Sequence, residues 1–194
     1  MKFNYSCIIP ECYADTNLVQ TLMQMKGANH QKSCGQVTNE LQSKFKDQFA
    51  VGIIDLDKKE SDYSEKSVEI AHSAELSVCR HPGTHHYLIK INNVLESFII
   101  NCAQEVGIDL SPLGLPFEVD ALMKRTKKQE AKNDPELSNY FKKLVSSTEM
   151  TLLKEVLEYL YKSTYAVKDD ELIRIFQNYG FMNDGLEGKR KIYQ

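Results

Sequence analysis

The chain has 194 residues, 42% of them hydrophobic and 26% charged, which suffices for one domain of ordinary size and argues against wholesale disorder. Its formal net charge of −3 excludes a polycation, so any phosphate-binding surface has to be a local patch. Residues 1–110 carry 10 basic against 14 acidic side chains and residues 111–194 carry 14 against 13, which points to the second half for such a patch.

From Lys2 to Ile9 the side chains Phe3, Tyr5, Cys7 and Ile9 alternate with more polar neighbours, predicting a β-strand that Pro10 ends for want of an N–H. Asp15 or Thr16 is the expected cap of a helix carrying Leu18, Val19, Leu22 and Met25, closed by Gly27. A second helix is expected over 35–47, with Val37, Leu41 and Phe45 on one face. Phe49 to Ile54 is an uninterrupted apolar run of strand length, the pattern of a strand covered on both faces as in a parallel sheet. The charged stretch 58–67 reads as a loop, and short extended pieces follow at 67–71 and 75–80. His85 to Ile91 alternates as a strand, and Asn92 or Asn93 is the expected cap of a helix running to Gly107.

After Pro112 and Pro116 the pattern becomes helical, with helices near 117–132, 135–146, 149–163 and 169–178. The third has the widest apolar stripe, from Leu152 to Tyr161. The expectation is an α/β domain over 1–111, a Rossmann-like parallel sheet flanked by helices. A helical extension over 112–194 follows, able to share the same core, with a loosely held tail from Asn183.

The odd count of five widely spaced cysteines, without a signal-like leader, points to a reducing, cytoplasmic setting. No apolar run is long enough to span a bilayer, so no membrane role is expected.

Chemistry concentrates in carboxylates at strand ends. Glu11 follows the first strand, with Asp15 one helical turn on, and Asp55 and Asp57 follow the buried strand. In an open α/β sheet, ligands collect at the carboxyl ends of adjacent strands. If the two strands are parallel neighbours, Glu11, Asp55 and Asp57 meet at one rim. Residues two apart on an extended strand point the same way, so Asp55 and Asp57 share a side while Leu56 faces the core. Three close carboxylates raise one another's pKa unless a cation joins them, and Mg²⁺ or Mn²⁺, with its preference for oxygen ligands, suits the task.

Glu11-Cys12-Tyr13-Ala14-Asp15 resembles the Glu-Gly-x-x-Asp segment that opens the TOPRIM domain of primases and of the overcoming-lysogenization-defect nucleases. Ile53 to Lys58 is similar to the strand and Asp-x-Asp motif of the same domain, so the resemblance spans about residues 1–105. It implies a TOPRIM-like fold, Asp55 and Asp57 as metal ligands, and Glu11 as a further ligand or the acid/base group. The implied activity is Mg²⁺-dependent phosphoryl transfer, most closely that of a nuclease or a defence-associated nuclease-like component, with nucleic acid as partner. Glu96, early in the helix after the His85 strand, resembles a later acidic position of such nucleases.

The family's glycine after the glutamate is Cys12 here. The rival reading is therefore a catalytically inactive TOPRIM-like module whose helical half binds a protein partner. Lys58, next to the acidic pair, is a candidate for screening transition-state charge. Asp15 and His86 are secondary candidates, His86 as a phosphate contact. The basic stretch Lys124 to Lys132 spreads around its helix and reads as a solvated face. No Cys-x-x-Cys pair supports zinc. A carboxylate next door argues against Cys12 as a nucleophile. A dehalogenase-like phosphatase with Asp55 as nucleophile fits the surrounding residues poorly, since Lys59 stands where that family has a small hydroxyl or β-branched side chain.

Overall fold

The computed structural model describes residues 5–56, 60–109 and 118–181. Asp57 and Lys58, the expected boundary near 112 and the tail from Asn183 lie outside the described residues.

A five-stranded mixed sheet forms the centre, in the order β1-β2-β5-β4-β3. Its strands are β1 (Ile8–Pro10), β2 (Ala50–Asp55), β3 (Val68–His72), β4 (Leu76–Arg80) and β5 (His86–Ile91). β1, β2 and β5 run parallel, with Ile8 opposite Val51 and Asp55 opposite Ile91. β4 is antiparallel to both β5 and β3, so the wholly parallel sheet expected from the sequence is corrected to a mixed one. Only 73–75 join β3 to β4 and 81–85 join β4 to β5, and connections this short cannot make the crossover that parallel neighbours need.

The first strand is also shorter than its alternation suggested. Tyr5–Cys7 is a 3-10 turn, and only Ile8–Pro10 pairs with β2. Pro10 is tolerated because β1 is an edge strand. Its outer side is covered by the segment after the first helix, where Asn29 N–H donates to Ile8 O and Gln31 N–H to Pro10 O.

The eight helices among the described residues are α1 (Tyr13–Leu22), α2 (Cys34–Gln42), α3 (Asp62–Glu65), α4 (Leu95–Glu105), α5 (Val119–Thr126), α6 (Pro135–Leu144), α7 (Thr148–Ser163) and α8 (Asp169–Asn178). α3 lies inside the stretch read as a loop, capped by Ser61 Oγ, which accepts from Ser64 N–H. The long helix expected at 117–132 is split into α5 and a 3-10 segment, Gln129–Asn133.

Alternation along β2 and β5 sends side chains to two different cores. Val51, Ile53, Tyr87, Ile89 and Ile91 join one large cluster with Leu18 of α1 and Phe98 of α4, and the same cluster continues through Phe141, Leu157 and Phe176. The helical extension thus packs into the core of the sheet. Ala50, Ile54 and Leu88 face the other way, against Val37 and Leu41 of α2. Gly52 sits under α2 because nothing larger fits: a Cβ there would stand 2.8 Å from Leu88 Cδ2 and 2.8 Å from Val37 Cγ1.

α1 is buried on nearly all sides, from Ala14 to Val19 and again at Leu22. Its polar Asn17 is satisfied by the extension: Nδ2 donates to Ala131 O at 2.8 Å and Asp134 O at 2.9 Å, and Oδ1 accepts from Ser138 Oγ. A buried amide with this many partners fixes how the extension sits on α1. Among the described residues, no helix is long and apolar enough to cross a membrane.

Candidate functional site: an acidic rim at the ends of the parallel strands

The parallel register of β1 and β2 brings Glu11 and Asp55 together. Glu11 N–H donates to Ile53 O at 3.0 Å, extending the ladder by one residue. The Glu11 side chain then folds across the end of β2, where its Oε2 accepts from Asp55 N–H at 3.3 Å. The rim also includes Asp15, in the first turn of α1, and Glu96, in the first turn of α4. Asp55 shares the strand face of Val51 and Ile53, the face covered by α1 and α4, so the carboxylates of both helices reach it. Exposure is 1% for Asp15, 3% for Glu96 and 7% for Glu11, values at which a carboxylate has little water to stabilise its charge.

The local starts of the two helices differ from the sequence expectation. α1 begins two residues before Asp15, at Tyr13, with Cys12 as N-cap. Cys12 Sγ accepts from Asp15 N–H at 3.3 Å, and Asp15 Oδ2 accepts from Cys12 N–H at 2.9 Å. This reciprocal pair is a capping box in which a thiol replaces the usual hydroxyl. Cys12 has φ −123° and ψ 176°, extended backbone that imposes no need for glycine. At α4, neither Asn92 nor Asn93 caps. Asn92 Nδ2 donates to Ala74 O, Asn93 is held at φ 60°, and the N-cap is Val94, with no side-chain cap bond. The uncapped N–H of Leu95 lies against the Asp55 carboxylate instead, so Asp55 sits at the positive end of α4.

Crowding dominates the electrostatics. Burial raises Asp55 most, with the charges of Asp15, Glu11 and Glu96 adding to it, and the Leu95 N–H only partly offsets them; its pKa is pushed up to about 9. Asp15 is pushed up to about 7, first by burial and then by Glu11 and Glu96, against the hydrogen bonds from Cys12. Burial, then Asp15, also drives the Cys12 thiol far above its ordinary value, which removes it as a nucleophile. Asp15 Oδ1 and Asp55 Oδ1 are buried without a hydrogen-bond partner among the described residues. Buried oxygens of that kind are rare enough to need a reason.

Glu96 has a partner that sequence reading missed: Thr126 Oγ1, from α5, hydrogen-bonds Glu96 Oε1. A threonine late in an amphipathic helix carries no local signal, so only the packing of the extension reveals it. The same holds for His30, stacked on Tyr13 with centroids 4.2 Å apart and Nδ1 3.1 Å from Thr16 Oγ1. Thr16 Oγ1 donates to Cys12 O, so His30 Nδ1–H is the donor of that contact.

His86 is corrected. It stands opposite Ala50, at the far end of β2 from Asp55 and some 16 Å from the rim along the strand. It is buried, with Nε2 2.8 Å from Phe45 O and Nδ1 against Tyr63 Oη. A carbonyl only accepts, so Nε2 carries the proton and Nδ1 receives the Tyr63 hydroxyl. Both nitrogens are used in holding β5 to the α2 side, which leaves none for a phosphate.

Among the described residues, no three His, Cys, Asp or Glu side chains are arranged to hold a metal ion. The carboxylates are electrostatically close but do not converge on one point. Comparison of the chain with known protein families, curated proteins and solved structures finds no match.

Proposed function

We propose that this rim binds a divalent cation, Mg²⁺ or Mn²⁺, and serves phosphoryl transfer in the manner of a TOPRIM-type nuclease. The observation that carries the reading is the pair of partnerless buried oxygens, Asp15 Oδ1 and Asp55 Oδ1, on two carboxyls whose pKa values burial and the neighbouring Glu11 and Glu96 raise. Their chemistry fits a hard dication, which takes oxygen ligands and relieves like-charge repulsion. Asp55 and Glu11 would hold it, and Asp57, two residues along, is the ligand the sequence resemblance adds. When bound, the cation supplies Lewis-acid polarisation of a phosphate oxygen and stabilises the leaving oxygen.

The chain's own residues have separate tasks in this proposal. Glu11 orients an attacking water, or takes its proton, at the mouth of the rim. Asp15, locked by the Cys12 capping box, is a positioning residue with one free oxygen. Glu96, fixed by Thr126, adds negative charge that favours cation entry.

A second reading, an inactive TOPRIM-like interaction module, is favoured by Cys12, whose thiol occupies the N-cap where the related motif has glycine. A cleavage assay on labelled single- and double-stranded DNA and RNA, with Mg²⁺, Mn²⁺ or EDTA, separates the two. The nuclease reading expects metal-dependent cleavage that Asp55→Asn and Asp57→Asn each lower by about 100-fold or more while the far-UV spectrum is unchanged. Cleavage indifferent to both substitutions removes this rim from the chemistry.

A further inference from the structure

On the other side of α1 from the sheet, the extension and the end of the helix enclose an open groove of about 1030 Å³. Among the described residues, its charged lining consists of Lys26, Lys132, Lys142 and Lys154, with no carboxylate, in a chain whose net charge is −3. Among the described residues, Lys26, Lys132 and Lys142 pair with no acid, and Lys154 reaches Glu158 only at 3.9 Å. Asp134 and Glu136, which flank the groove residue Pro135, are both engaged by Arg125. Four ammonium groups drawn from separate elements repel one another, an arrangement that an anion would relieve. Gln20 and Asn139 add amide donors to the same lining.

We propose that this groove binds the phosphodiester backbone of duplex nucleic acid. A cavity of this size exceeds what a single phosphate needs, and cations spaced along it suit a row of phosphates. Among the described residues no aromatic side chain lines it, so they offer no stacking platform of the kind single-strand binding uses, and recognition would go to the backbone. The groove also lies along the helix that carries the acidic rim: Asp15 and Gln20 are about 8 Å apart on the α1 axis. Lys132 approaches the rim side of the molecule closely enough for its charge to act on His30. The inference deepens the nuclease reading and rests on it for its purpose.

The test is fluorescence anisotropy of a labelled mixed-sequence duplex with the full chain in EDTA, over a salt series. The expected result is binding whose dependence of log K on log salt becomes shallower by about 0.9 for each lysine neutralised, in Lys26→Gln, Lys142→Gln and the double variant. Lys142→Arg should keep the wild-type slope. No duplex binding, or a double variant that binds as wild type does, overturns the proposal. The two readings fail separately. Groove variants that bind weakly beside an Asp55→Asn variant that binds normally support the groove even if no cleavage is ever seen. Metal-dependent cleavage that persists at full rate in the double lysine variant sinks the groove and leaves the rim standing.

Discussion

If the acidic rim is as crowded as its geometry indicates, the metal-free protein should lose stability as pH rises through neutrality. The sign follows from the carboxylates. Asp15 and Asp55 bind protons more tightly in the folded chain, with pKa values near 7 and 9 against 3.8 for the ordinary group. Their contribution is fully present below the unfolded value and is lost as pH rises through the folded ones. Each pK unit corresponds to about 1.4 kcal/mol. Between pH 6.5 and 8.5, Asp55 stays protonated in the fold while its unfolded counterpart is ionised, and Asp15 does so for the first part of the window. Together they amount to about 3 kcal/mol, which for a chain of this size is a fall in Tm of about 6–12 °C. The assay is thermal unfolding by circular dichroism in EDTA at a series of pH values. Asp55→Asn should remove most of the slope, and Mg²⁺ should flatten the wild-type curve by neutralising the group. His86 and His30, both held below the ordinary histidine value chiefly by burial, add stability as pH rises, the opposite sign, and so do not mimic the effect. A wild-type Tm that stays level across the window, or an Asp55→Asn slope equal to the wild type, would refute the reasoning.

Two further outcomes test the frame around the rim. Gly52→Ala should destabilise the chain by about 1–3 kcal/mol, read as a lower urea midpoint at unchanged m-value, because the added methyl meets Leu88 and Val37 at 2.8 Å. His86→Phe should cost about 2–3 kcal/mol through the lost bonds to Phe45 O and Tyr63 Oη, yet leave divalent-cation binding by the folded protein unchanged. A loss of metal affinity in that variant would place His86 in the site after all.

Much of this architecture could be read from residue patterns, because the patterns answer to burial. The run ending at Ile54 is apolar on both faces, since α2 covers one and the large core the other. The stripe of α7 is equally direct, with Leu152, Leu153, Val156, Leu157 and Leu160 all buried. Two strand ends carrying Glu11 and Asp55 were readable for the same reason: a parallel pair exposes its carboxyl ends side by side. The mixed sheet was also available from spacing, in the three- and five-residue connections flanking β4, but alternation alone does not report strand direction. Other features depend on contacts that no local pattern carries. Tyr5–Cys7 alternates like a strand, yet only Ile8–Pro10 has a partner in β2. Cysteine is a weak cap in isolation, and Cys12 serves only because Asp15 answers it. Glu96 and Thr126 meet through the packing of α4 on α5, across thirty residues of sequence.

The central claim is that this rim is built for a divalent cation. Isothermal titration of Mn²⁺ into the EDTA-stripped, dialysed chain at pH 8 tests it most directly. The account expects saturable binding of about one ion, accompanied by proton release because Asp55 must ionise, and lost in Asp55→Asn. A wild-type titration with no heat beyond dilution, or one that Asp55→Asn reproduces, would contradict it.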